Sequence, residues 1–169
     1  QYRDTLDAQE HYPELDAQGG RILEAAFRIA QEAHYGQSRR KANPRIMYIC
    51  HPLMACDILY RMGERDPLLL AAALLHDALE DHDEFRGDPD LMRTKLVDAL
   101  QDELTYEPET MRFDLTEDSF YVSARIFELC KSVTNPALLP EGKEIEQIER
   151  AKGMDLDAKK LKIADQAAS

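Results

Sequence analysis

Apolar residues in this chain recur at helical spacing and almost nowhere at strand spacing. Ile22, Ala25, Ala26, Ile29, Ala30 and Ala33 repeat at three and four, which predicts a helix from about Gly20 to Gly36. The stretch from Gln37 to Tyr48 is basic and broken by Pro44, so it is expected to be a loop. His51-Pro52 opens a second helix, since proline is favoured in the first turn. Leu53, Ala55, Cys56 and Leu59 carry it to about Met62, and Gly63 ends it. Asp66-Pro67 is a stronger start signal, an N-cap acid followed by proline at the first helical position. The run from Leu68 to Leu75 that follows is apolar on every face, so this helix is expected at the buried centre. Asp88-Pro89 starts a fourth helix that runs to about Glu103. Thr105 to Glu117 is acidic and irregular, an expected surface loop. A fifth helix runs from about Glu117 to Val133, where Asn135-Pro136 stops it. Two more are expected near Glu144–Lys152 and Asp157–Ala168. The pattern predicts an all-α bundle of about seven or more helices around a buried central helix. Residues 1–19 are read as an N-terminal extension and 20–169 as one domain.

Composition narrows the function classes. With 44% hydrophobic and 32% charged residues the chain is an ordinary globular one. No apolar run reaches the roughly 18 residues that span a bilayer, so no membrane partner is expected. The first residues lack the basic-then-apolar order of a signal peptide. Cys50, Cys56 and Cys130 form no CxxC pair, and their odd number argues for reduced thiols and a cytoplasmic setting. A net charge of −12 argues against a sequence-independent nucleic-acid binder, but leaves room for a small anionic substrate at a local basic or metal site. The final LKIADQAAS ends in a helical pattern without a cap, so the natural chain is expected to continue past Ser169.

The chemistry lies where the apolar run stops. Leu74-Leu75 leads into His76-Asp77, then Ala78-Leu79, then Glu80-Asp81. Ionisable groups at the end of an all-apolar helix cost on the order of several kcal/mol each unless paired or bound to a metal. Helical spacing places Glu80 four residues after His76 and Asp81 four after Asp77, near one end of one helix. One helix cannot encircle an ion. His51, at the start of the neighbouring helix, is the best additional ligand, and Asp165, beside the inward-facing Leu161 and Ala164, is the next. Two imidazoles and two carboxylates suit Mn²⁺, Fe²⁺ or Zn²⁺. Such an ion lowers the pKa of bound water, to about 7 in favourable zinc sites. Glu80 and Asp81 could orient or deprotonate that water and protonate a leaving group. Other readings of the same residues stay open. A lone His-Asp pair is often structural, Glu80 and Asp81 could be a solvated helix end, Asp165 could pair with Lys162, and His51 could be a helix N-cap.

The same residues resemble the hydrolase domain of Rel/Spo proteins, an HD-type family that degrades the alarmone (p)ppGpp. The family pattern reads roughly AH-x-GQ-x-RK, YI-x-HP, L-x-AALLHD-x-x-ED and K-L-AD-R. Its counterparts here are Ala33-His34-Tyr35-Gly36-Gln37 with Ser38-Arg39-Arg40-Lys41, then Tyr48-Ile49-Cys50-His51-Pro52. Ala71 to Asp81 and Lys162-Ile163-Ala164-Asp165 follow. The resemblance implies an HD-domain fold with one Mn²⁺ held by His51, His76, Asp77 and Asp165. It implies Glu80 and Asp81 as catalytic carboxylates, and a nucleotide substrate bound beside Arg39 and Arg40 or Lys41. The implied reaction is hydrolysis of the 3′-pyrophosphate of guanosine 3′,5′-bis(diphosphate).

The chain also departs from that pattern. The stretch between Gln37 and His51 is a few residues longer than in the family, and the segment near 82–119 reads as an acidic insertion. Gln166 stands where the family has arginine, and Ser169 falls where it has asparagine. Two further expectations therefore stand beside the alarmone hydrolase: an HD phosphohydrolase of another nucleotide or phosphorylated metabolite, and a metal- or nucleotide-sensing domain without turnover.

Overall fold

The computed structural model describes residues 6–35, 38–40, 43–104, 114–133 and 155–168. Among the described residues the fold is all-α apart from one short hairpin. Its described elements are α1 (Ala8–His11), α2 (Ala17–Ala33), β1 (Ser38–Arg40), β2 (Asn43–Met47), α3 (Cys50–Arg61) and α4 (Pro67–Leu75), then α5 (Ala78–Asp81), α6 (Asp83–Gly87), α7 (Pro89–Leu104), α8 (Asp114–Val133) and α9 (Leu156–Ala168).

Local chemistry sets the helix ends. Asp16 caps α2 by accepting from the amide of Gly19 at 2.7 Å, so this helix starts three residues before the apolar repeat suggested. Asp66 caps α4 through the amide of Leu68, with Pro67 at the first helical position. Gly63, at φ +97°, takes the left-handed conformation that ends α3. Its amide bonds the Tyr60 carbonyl and the next amide, of Glu64, reaches back to Leu59. Asp155 caps α9 through the amide of Ala158 at 2.8 Å.

α4 is buried from its third residue onward. Leu69 to Leu75 are all 0% exposed. The helix packs against α2, α3, α8 and α9. Each of its fully buried leucines contributes roughly 1.5–3 kcal/mol by leaving water. α2 answers with Ile22, Leu23, Ala26, Ile29 and Ala30, and α9 with Ala158, Leu161, Ala164 and Ala168, all buried.

Four features differ from the sequence pattern. The stretch read as a loop holds an antiparallel hairpin, with Ser38 opposite Met47 and Arg40 opposite Asn43. Strands of three and five residues are too short for alternation to register, and among the described residues no further strand beside β2 needs the N–H that Pro44 lacks. The central helix stops at Leu75, and a turn at His76-Asp77 separates it from α5. Part of the stretch read as an acidic insertion belongs to the core: Phe85, Met92, Leu96 and Leu100 are buried, and α7 lies against α2 and α8. The segment before α2 is also packed down, with Ala8, Tyr12 and Leu15 buried and the Tyr12 hydroxyl donating to Asp57 at 2.6 Å. The helix expected near Glu144–Lys152 and most of the loop expected at Thr105–Glu117 lie outside the described residues.

Candidate metal centre

Three helices converge on one point. His51 lies in the first turn of α3, His76 and Asp77 in the turn after α4, and Asp165 near the end of α9. The apolar face of α9 packs on α3 and α4, which carries Asp165 to the mouth of the buried helix. One ligand atom from each of the four residues lies within 4.8 Å of the other three. Both histidines are buried and both carboxylates are partly buried.

The ring orientations decide what this cluster can do. The Nδ1–H of His76 donates to the Ala73 carbonyl at 2.6 Å, and the Nδ1–H of His51 donates to the Ala168 carbonyl at 3.3 Å. Both Nε2 atoms therefore face inward. Each stands 3.0 Å from Oδ1 of Asp165, while Asp77 presents Oδ2 to His51 at 3.3 Å and Oδ1 to His76 at 3.2 Å. The ring centroids are 5.2 Å apart. With neutral rings, two nitrogen lone pairs and carboxylate oxygens would converge without a donor between them. Only positive charge holds such a set together, either protons on the imidazoles or a cation in their midst.

The electrostatics of the four side chains express the first solution. Hydrogen bonds donated to Asp165 and then to Asp77 raise His51 to about 10, against the opposing effect of burial. Burial pushes His76 down, but the Asp165 hydrogen bond and the Asp77 charge outweigh it and raise the ring. Burial likewise opposes ionisation of Asp77 and Asp165, yet the imidazoles hold both carboxyls below the usual range. A divalent cation offers the same compensation in one particle, and two imidazole nitrogens with two carboxylates fit Mn²⁺, Fe²⁺ or Zn²⁺. The Nδ1–H bonds to backbone carbonyls are the outer support that metal-bound histidines commonly have.

The remaining sequence candidates are placed less fully. Glu80 and Asp81 end α5, which starts directly after Asp77, so their backbone lies one turn from the cluster; their side chains fall outside the described set. Arg39 and Arg40 lie in β1, again by backbone alone, and Lys41 is outside the described residues. Two neighbours of the cluster were not among the expected site residues. The Tyr48 hydroxyl donates to Oδ2 of Asp77 at 2.7 Å. Lys162 Nζ lies 3.6 Å from Oδ2 of Asp165, the pairing weighed from the sequence as an alternative to metal binding. Tyr48 precedes His51 by three residues, so spacing alone could have marked it as a neighbour.

No family model and no solved structure matches the chain. Curated relatives do. A GTP pyrophosphokinase of Streptomyces coelicolor is 37% identical over 92 residues, covering 52% of this chain and 10% of that protein. The bifunctional (p)ppGpp synthase/hydrolase RelA of Mycobacterium tuberculosis is 41% identical over 73 residues, 43% of this chain and 9% of that protein. A guanosine-3′,5′-bis(diphosphate) 3′-pyrophosphohydrolase of Vibrio cholerae is 39% identical over 85 residues, 49% of this chain and 11% of that protein. The matched stretch is thus about a tenth of these relatives' length. Among the described residues no helix is long and apolar enough to cross a membrane. Through about half of its length this chain is similar to the Rel/Spo (p)ppGpp synthase/hydrolase proteins, and its His/Asp cluster is compatible with an HD-type metal site.

Proposed function

We propose that this chain is a metal-dependent phosphohydrolase that removes the 3′-pyrophosphate of guanosine 3′,5′-bis(diphosphate) and its pentaphosphate analogue. The observation that carries the reading is the convergence of His51, His76, Asp77 and Asp165 within 4.8 Å. The relatives bear names for both synthesis and hydrolysis, and the chemistry of the cluster favours hydrolysis. Pyrophosphate transfer from ATP relies on Mg²⁺, a hard ion served by oxygen ligands and phosphates. A site with two imidazole nitrogens selects softer ions, with Mn²⁺ the proposed occupant.

In this proposal His51, His76, Asp77 and Asp165 hold the ion. When bound, such an ion supplies Lewis acidity to a phosphoryl oxygen and acidifies water. Glu80 and Asp81, one helical turn after Asp77, orient the attacking water, accept its proton and return one to the leaving oxygen. Arg39 and Arg40, in β1, grip the nucleotide together with Lys41, with guanidinium forks suited to phosphate. Lys162 adds a cation beside Asp165, which a polyanionic substrate needs in a chain of net charge −12. Cys50, Cys56 and Cys130 are in no disulfide, which suits a reducing cytoplasm.

A second reading, an HD phosphohydrolase of another nucleotide, is favoured by Gln166 and Ser169, which depart from the Rel/Spo pattern beside Asp165. One assay decides. Purified protein with Mn²⁺ is incubated with ppGpp, pppGpp, deoxynucleotides and cyclic nucleotides, and separately with ATP and GTP. The proposal predicts pyrophosphate with GDP or GTP from the alarmones, and no alarmone made from ATP and GTP. Turnover of another compound with none of ppGpp would establish the second reading, and binding without any turnover would indicate a sensing domain.

A further inference from the structure

We propose that Tyr48 is a positioning residue of the metal centre: its hydroxyl fixes the rotation of the Asp77 carboxylate. The inference rests on the reading of the His/Asp cluster as a metal site. Asp77 lies in a turn between two helices, and no side-chain cap bond ties it to α5. Its carboxylate is thus free of the helix-end bond that usually immobilises an aspartate in that place. Besides the two imidazoles of the cluster, which lie 3.3 and 3.2 Å from its oxygens, the Tyr48 hydroxyl donates to Oδ2 at 2.7 Å.

Tyr48 is well placed to supply a fixed donor. Its ring packs on the buried His34 ring, with centroids 4.7 Å apart and planes 34° apart, and it also approaches the His51 ring at 5.9 Å. Its own carbonyl accepts from the amide of His51 at 2.9 Å, so backbone and side chain of Tyr48 support one proposed ligand each. The phenol follows directly on β2, the strand that ends at Met47. His34 caps the C-terminus of α2 through the Ala30 carbonyl. The hydroxyl therefore ties Asp77 to two elements other than the one that carries it. Outer hydrogen bonds of this kind tune metal affinity on the order of 10–100-fold.

The test uses the whole chain and Mn²⁺ alone. Tyr48→Phe keeps the ring against His34 and deletes only the hydroxyl. Mn²⁺ affinity is measured by competition with a chelating dye, and the melting temperature is measured in chelator. The expected result is affinity weakened on the order of 10–100-fold with the metal-free melting temperature unchanged. His34→Ala serves as a second variant that loosens the ring and leaves the hydroxyl. It is expected to lower the melting temperature more than Tyr48→Phe and the affinity less. Unchanged affinity in Tyr48→Phe would overturn the proposal and leave the metal site standing. So would equal affinity losses in the two variants at matched losses of stability, which mark a merely structural role. Failure of the wild type to bind Mn²⁺ at all would instead remove the metal reading, and Tyr48's role with it.

Discussion

Oδ1 of Asp165 lies 3.0 Å from Nε2 of His76, although 89 residues separate them in sequence. The contact exists because Leu161 and Ala164 dock α9 onto the bundle and Asp165 follows them out of the apolar face. It joins the end of a wholly apolar helix to the last described helix of the chain, and it gives the site its closed geometry.

Lys162 shares that last helix and stands 3.6 Å from the other oxygen of Asp165. It is proposed to meet substrate phosphate. A charge-assisted hydrogen bond contributes about 1.5–3 kcal/mol, so Lys162→Met is expected to raise KM for ppGpp by roughly 10–100-fold. Metal content should be retained. Steady-state kinetics on Mn²⁺-loaded protein check this, and an unchanged KM would remove Lys162 from substrate binding.

Glu80→Gln separates chemistry from metal binding. If Glu80 moves a proton, the variant keeps Mn²⁺ and loses about 10²–10⁴-fold in kcat. Parallel metal analysis and turnover measure both quantities. Loss of metal together with turnover would make Glu80 a ligand instead.

Leu74 is fully buried in α4, two residues before His76. Leu74→Ala is expected to cost 2–5 kcal/mol, about the range for a leucine truncated in a rigid core. Urea unfolding should show a lower midpoint with an unchanged slope. A cost well below 1 kcal/mol would mean that the helix end is loosely packed.

The Glu64–Lys160 ion pair, at 3.0 Å, ties the segment after α3 to α9. Burial opposes ionisation of Glu64, but hydrogen bonds from Lys160 and from the amides of Asp66 and Arg65 hold its carboxyl below the usual range. A carboxyl with a depressed folded pKa adds stability above its unfolded pKa of about 4.3. That stability disappears as pH falls through the folded value. Glu64→Gln is therefore expected to be less stable than the wild type at pH 7, with the gap closing below about pH 4. Urea midpoints across that range test it, and a gap independent of pH would contradict the assignment.

Much of this was legible in the chain because local rules and tertiary packing agree. Asp66-Pro67 and Gly63 mark helix ends by capping and backbone freedom, and the structure uses both. The all-apolar run to Leu75 marks burial, and His76-Asp77 at its end marks the place where the His/Asp cluster gathers. The sequence pattern missed what depends on contacts between distant segments. The hairpin at Ser38–Met47 is too short for periodicity to show, and the turn at His76 reflects a side chain that bonds the Ala73 carbonyl inside its own helix end. Tyr48 had a place in a motif but no task until its hydroxyl was seen on Asp77. The acidic character of residues 82–119 hid Met92, Leu96 and Leu100, whose four-residue spacing forms a core face.

The central claim is that His51, His76, Asp77 and Asp165 hold one divalent ion that phosphohydrolysis requires. The direct measurement is the metal-to-protein ratio of wild type and Asp77→Ala after loading with Mn²⁺ and desalting, paired with turnover of ppGpp. The account predicts a ratio of about one and Mn²⁺-dependent turnover in the wild type, with both lost in the variant. A variant that keeps the wild-type ratio would contradict the site, and a wild type equally active after exhaustive chelation would contradict the mechanism.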